Sequence, residues 1–252
     1  MNMNLNQAIK KTTTLLQETQ HQWSRLMPPH VDADMMLGVF INLFKTNPTL
    51  LECEQTSLWS AIAQCCKLGL RPDGLLGEAY MIPYGNNVKL VIGYKGLLAL
   101  ARRSGEVAKI STAVVREGDR FEYTLGDEEK IVHSPTAGSD SPITHAYVIV
   151  TLINGEKVRK VMTASEIEII RSRYSKGSDK KSSPWNTSPD TMALKTVVRS
   201  LLNSGLVPMS ISRQLLSDDG SVQPLDNQEL QAIYNTEDKR ELLVGVGDAS
   251  SE

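Results

Sequence analysis

The sequence predicts an α+β fold, an antiparallel sheet with flanking helices, and three observations carry that prediction. Apolar residues up to Gly69 recur at helical spacing. From Ala79 to Met162 β-rich runs alternate with turn residues. Helical spacing then returns from Thr163 to Asn203. Helices, then strands joined by tight turns, then helices is the order of an α+β chain and not of alternating βαβ units.

Asp32 or Asp34 is placed to cap a helix that runs through Phe44 and ends near Asn47-Pro48. A second helix starts between Glu54 and Ser57. Leu58, Ala61, Ile62, Cys65 and Cys66 share one face of it, and it stops at Gly69, with Pro72 beyond. Ala79–Tyr84 and Val88–Tyr94 flank Gly85-Asn86-Asn87 as a hairpin, and Gly96–Arg103 is a short helix closed by Ser104-Gly105. Val107–Val115 and Phe121–Thr124 read as strands, and turn-rich Gly126–Ser141 as a surface loop. Ile143–Ile153 and Glu156–Met162 flank Asn154-Gly155, a two-residue hairpin signal. Thr163 and Glu166 have capping-box spacing for a helix to about Tyr174. Ser175–Ser183 offers no apolar residue to bury and is expected to be mobile. Ser188-Pro189-Asp190 caps and opens a last helix, which runs to Asn203 and is closed by Gly205 and Pro208.

Cysteine usage and apolar runs exclude several classes. Cys53, Cys65 and Cys66 are odd in number, with no histidine at metal-ligand spacing, which fits a reducing cytoplasm and neither a disulfide framework nor a zinc site. Cys65 and Cys66 are expected in the core. The longest apolar run, Met35–Phe44, is interrupted by Gly38 and Asn42, so no membrane span is expected, and the polar N-terminus lacks the pattern of a signal peptide.

The net charge of −2 conceals an asymmetry. Ser217–Glu252 holds nine acids against two bases, whereas Lys157–Arg213 holds eleven bases against four acids. That contrast fits a polyanion-binding surface followed by a tail that competes for it or recruits partners; a solvated charged face gives the same pattern.

Catalytic motifs are scarce. No phosphate loop or dinucleotide fingerprint occurs, and Gly93-Tyr-Lys-Gly96 offers only the backbone N–H groups of a helix start, enough to hold a phosphate. Glu128-Glu129-Lys130, with Asp119 or Asp127 upstream, has the look of a metal-dependent nuclease, provided those acids cluster in space. The four histidines, His21, His30, His133 and His145, are scattered along the chain, none beside a nucleophile in a recognisable motif. No cofactor is expected, the magnesium requirement stays open, and the chain does not read as an enzyme.

Three basic clusters stand out. In the first, Lys95 and Arg102 are seven residues apart and share a face if their helix is continuous. A helix dipole accounts for arginines at 102 and 103 but not for Lys95. The second is Arg171, Arg173 and Tyr174, followed by Lys176, Lys180 and Lys181; it suits a backbone of variable path, or is a solvated loop. The third joins Trp185 to a helix on which Lys195 and Arg199 lie four apart. Trp185 either stacks on a base or anchors its loop in the core.

Several ordered motifs resemble the RecT family of phage-type single-strand annealing proteins, and more distantly the lambda Red beta protein. They are Asn47-Pro-Thr-Leu-Leu51, Leu68-Gly-Leu-Arg-Pro-Asp-Gly74, Ala79-Tyr-Met-Ile-Pro-Tyr-Gly85, Ile92-Gly-Tyr-Lys-Gly-Leu97, Ala101-Arg-Arg-Ser-Gly105 and Trp185-Asn-Thr-Ser-Pro-Asp-Thr-Met192 with Lys195 and Arg199. The resemblance implies a RecT-like α+β core that forms rings or filaments and pairs complementary single strands in a basic groove without ATP. It also implies a 5′-to-3′ exonuclease and the host single-strand-binding protein as partners, in a bacterial or phage-infected cell. Lys95, Arg102, Arg103, Trp185, Lys195 and Arg199 are carried over as groove residues, while Arg171, Arg173 and Lys176 rest on charge and location alone. The expected organisation is a helical, oligomerising segment over 1–30, an annealing core over 31–216 and a weakly ordered acidic tail over 217–252, too short and too poor in aromatics to resemble a folded docking domain. A metal-dependent nuclease and a non-annealing interaction module are the alternatives.

Overall fold

The computed structural model describes residues 2–124, 126–136, 138, 140–175, 178–204 and 206–207, with side chains from Leu5 onward. Lys176, the helix-closing Gly205 and Pro208, and the acidic stretch 217–252 lie outside the described residues. Two compact units emerge, one within Met1–Ile92 and the other within Gly93–Leu216.

The first unit is mainly helical. Helices α1 (Asn2–Glu18) and α2 (Gln20–Trp23) lead into α3 (Ala33–Thr46), where the Asp32 carboxylate accepts from the Met35 N–H at 2.6 Å and so caps the helix. Pro48 opens a 3-10 turn over Pro48–Glu52, and α4 (Gln55–Leu68) follows. Gly69 ends α4 with a φ of 57°, and its N–H and that of Leu70 return to the carbonyls of Cys66 and Cys65. The core gathers Leu16, Trp23, Phe40, Phe44 and Ile62, with Trp23 edge-on to Phe40 and its indole N–H given to the Leu16 carbonyl at 3.0 Å. Cys65 and Cys66 are buried there as expected, and desolvation pushes the Cys66 thiol up to about 12.

A hairpin of β1 (Ala79–Tyr84) and β2 (Asn87–Ile92), with Ala79, Met81, Val88 and Leu90 buried, packs on α4 through β2 and on the Pro48–Glu52 turn through β1. Its turn is Gly85-Asn86, with Gly85 at a φ of 62°, the positive value a tight hairpin asks for.

The second unit is built on an antiparallel sheet in the order β3 (Val107–Arg116), β6 (Ile143–Leu152), β7 (Lys157–Thr163). Burial alternates along β6, where Ala146, Val148, Val150 and Leu152 are buried. Helices α5 (Tyr94–Arg103), α6 (Ala164–Tyr174), α7 (Pro184–Thr187) and α8 (Pro189–Leu202) complete the unit, with α8 packed on the sheet through Ala193, Val197, Val198 and Leu201. The α+β reading holds. Among the described residues no helix is long and apolar enough to cross a membrane.

Three local expectations are corrected. Within the expected loop 126–141, Lys130–Ser134 forms a strand, β5, which pairs with β4 (Arg120–Thr124) through Phe121↔His133 and Tyr123↔Ile131. Ile131 and Val132 supply strand character inside a turn-rich window. The β6–β7 connection has three residues, because only Gly155 takes a positive φ (87°), whereas the two-residue turn expected of Asn-Gly needs two. Ser188 makes no side-chain cap for α8.

Candidate nucleic-acid interface

Helix α5 is continuous from Tyr94, which places Lys95 and Arg102 on one face, both exposed. Arg102 and Arg103 occupy the last turn, where the helix dipole favours cations, and the Arg103 Nε–H reaches the Ala99 carbonyl at 3.4 Å. Lys95 sits in the first turn, where the same dipole opposes it. Helix stability gives no reason for a lysine there, so its exposed charge is the more telling of the two. The helix is fixed by Leu97, Leu100 and Ala101 in the core and by a hydrogen bond between the Tyr94 hydroxyl and Thr112 on β3.

The second and third clusters merge into one clamp. The Arg171 guanidinium, on α6, lies 5.7 Å from the centre of the Trp185 ring and donates to the Ser178 carbonyl and the Asn186 side-chain oxygen, each at 3.1 Å. The Trp185 indole N–H donates to Ser175 Oγ at 2.9 Å, and Asn186 Nδ2 donates to the carbonyls of Ser178 and Lys180. Trp185 is half-buried and anchors its loop, so of its two readings the geometry favours the anchor. The described part of the loop expected to be mobile is held by these bonds, and Ser178 is buried within it. Arg173, Lys180 and Lys181 remain exposed.

Lys195 and Arg199 are half-buried on α8 and engaged in interactions. The start of α8 is held by its first-turn Asp190, whose carboxylate accepts from Arg116 Nη2 at 2.6 Å. Helix α8 contacts α5, α6 and α7, so every described candidate stands on α8 or on a helix packed against it. What sequence reading gave as three clusters is one helical layer on one sheet.

On β6, His145 and Tyr147 alternate with the buried Ala146 and Val148 and so face the other side of the sheet, where the β4–β5 hairpin meets them. Phe121 stacks on Tyr147 with centroids 5.9 Å apart, lies 5.1 Å from His145 and is edge-on to His133. His133 is 3.3 Å from the Tyr147 hydroxyl and 3.2 Å from Asp119 Oδ2, and burial pushes the Tyr147 phenol up. Two of the four histidines scattered in sequence, His133 and His145, therefore meet the same Phe121 ring. Aromatic and histidine residues two apart, at 121 and 123 and at 145 and 147, were the available signal.

The acids of the nuclease pattern are divided: Asp127, Glu128 and Glu129 line one open pocket with Lys157 and Arg159, and Asp119 is not part of that lining. Asp119 accepts from the N–H groups of Arg116 and Thr136, both at 2.8 Å, and Glu129 pairs with Arg159 at 3.2 Å. Among the described residues no three His, Cys, Asp or Glu side chains gather as metal ligands.

Comparison with known proteins decides the class. The RecT family profile matches residues 35–234. The chain is 37% identical to Protein RecT of Escherichia coli strain K12 over 233 residues, covering 88% of this chain and 86% of that protein. It belongs to the RecT family. It is thus a single-strand annealing protein of DNA recombination. A second relative, the uncharacterized protein YqaK of Bacillus subtilis strain 168, is 26% identical over 212 residues, 84% of this chain and 71% of YqaK.

Proposed function

We propose that this RecT-family chain binds single-stranded DNA along a basic surface centred on α5 and α8, and that it anneals complementary strands as an oligomer, without ATP. Lys95 is the observation that carries the surface assignment: an exposed cation at a helix start that disfavours it, one face with Arg102. Annealing requires each strand's phosphates to be neutralised while base edges stay open to a partner strand. Lysine and arginine on a helical layer hold backbones without reading sequence. Lys195, Arg199, Arg103 and Arg173 extend the surface, Lys176 joins it from outside the described residues, and Arg171 and Trp185 shape it by holding the loop between α6 and α7. Aligned copies add weak contacts along one strand. A 5′-to-3′ exonuclease supplies the single strands, and the host single-strand-binding protein is the competitor or partner on them.

Anisotropy of a labelled single strand, measured against salt for wild type and for Lys95→Ala with Arg102→Ala, tests the surface. If both side chains contact phosphates, the double variant binds more weakly and its log–log salt slope is smaller by about 1.4. An unchanged slope in a folded variant removes α5 from the interface.

A further inference from the structure

The first unit carries two apolar features that its own core leaves unused. One is convex. Leu75, 81% exposed, and Leu76, 39% exposed, stand between α4 and β1 on a turn with its own hydrogen bonds: the Leu75 N–H donates to Asp73 Oδ1 at 3.0 Å and the Gly77 N–H to the Gly74 carbonyl at 3.3 Å. Gly74 and Gly77 have φ values of 71° and 69°, conformations that suit glycine, so the leucine pair is held out on a preformed tip. Tyr80, Ile82 and Tyr84 continue the exposed apolar surface along β1 at every second residue.

The other feature is concave. A cavity of about 490 Å³ lies between α1 and the start of α4, with Leu15, Leu51, Leu58 and Trp59 in its lining and Lys10 and Lys11 among its polar residues. Gln55, Leu58 and Trp59 line it from one side of α4, whereas Ser57, about 200° around the helix from residues 55 and 59, receives the Val88 N–H of the hairpin at 2.8 Å. Tip and cavity therefore belong to different surfaces of the unit.

We infer that the Leu75–Leu76 tip of one copy docks in the α1–α4 cavity of the next, giving a head-to-tail contact that propagates into rings or filaments. An exposed leucine pair costs solubility unless something covers it, and the cavity offers apolar walls of matching chemistry. Charge favours the pairing modestly, since Asp73 and Glu78 against Arg71 leave the tip acidic, and Lys10 and Lys11 outnumber Glu18 at the cavity. A contact in which tip and cavity of one copy engage two different neighbours is heterologous, so it leaves a free tip and a free cavity at the ends of each assembly and adds further copies. This inference rests on the proposed oligomer and names the surfaces that build it.

Size-exclusion chromatography with light scattering on the full chain, without DNA so that no strand holds subunits together, tests it through two variants at exposed positions: Leu75→Lys with Leu76→Lys to spoil the tip, and Thr14→Trp to fill the cavity. Each alone is expected to stay a single subunit, and an equimolar mixture to give two-subunit particles and nothing larger, because one intact tip meets one intact cavity. Assemblies of wild-type size from either variant, or a mixture of folded variants that stays monomeric, would overturn the contact. A monomeric wild type would also overturn the oligomer itself, which separates the two failures. Should a variant fail to fold, Thr14→Cys with Leu75→Cys replaces it: mild oxidation is expected to yield a ladder of linked chains, and a single-chain band alone contradicts the contact.

Discussion

The guanidinium of Arg171 lies over the indole of Trp185, 5.7 Å from the ring centre, and so joins the end of α6 to the short helix α7 across a polar loop. Arg171 also donates to Ser178 and Asn186, so its charge is largely spent inside the protein. Arg171→Ala is expected to lower unfolding free energy by about 1–3 kcal/mol, read from urea midpoints. Arg171→Lys should not restore it, since an ammonium lacks the planar fork. Arg173→Ala, at an exposed position, should leave stability unchanged and weaken DNA binding. The opposite assignment of effects would place Arg171 in the interface.

Arg116 fastens the start of α8 to the end of β3, with Nη2 2.6 Å from Asp190 and Nη1 donating to the Ser141 carbonyl. Asp190→Asn keeps the shape and removes the charge. It should cost about 1–2 kcal/mol by thermal or urea unfolding, partly screened because the aspartate is partly exposed. The salt slope of DNA binding should not move.

Glu166 reaches back to the N–H and hydroxyl of Thr163, completing the capping box of α6, and these bonds hold its carboxyl below the usual carboxylate range. A depressed folded pKa means stability that is present at neutral pH and is lost as pH falls through the folded value. Wild type should therefore exceed Glu166→Ala most at neutral pH, with the gap narrowing in acid. Melting temperatures of both proteins across that range give the answer, and a constant gap would mean that the ionised carboxylate contributes nothing.

Cys65 and Cys66 are buried, and desolvation raises both thiols, Cys66 to about 12. Native protein at neutral pH should leave both unlabelled by a maleimide, with reaction only on unfolding; mass spectrometry of labelled peptides reads it. Rapid native labelling of either would contradict the packing of α4.

Elements specified by contiguous residues were legible in the sequence. The Asp32 cap, the Gly69 stop and the Thr163–Glu166 box each depend on side chains within one turn of the backbone they serve. Less legible were features completed from a distance. Strand β5 has only a short apolar pair of its own and depends on pairing with β4. Ser188 offered a cap by residue type, yet α8 is held at its start by Arg116, seventy-four residues away. The clamp reads in sequence as two unrelated basic segments, because cation and ring are fourteen residues apart and meet only once the chain turns back. For the candidate surface, sequence supplied the residues and their helical faces, and the fold supplied the contacts of α8 with α5, α6 and α7.

On the proposed function, this RecT-family chain speeds strand pairing by itself. Two complementary labelled oligonucleotides, mixed with the protein without ATP and beside a noncomplementary pair, test it most directly. Faster duplex formation with both strands uncut, only for the complementary pair and lost progressively at high salt, is the expected result. Binding with no acceleration over protein-free strands would contradict annealing and leave a single-strand coat protein.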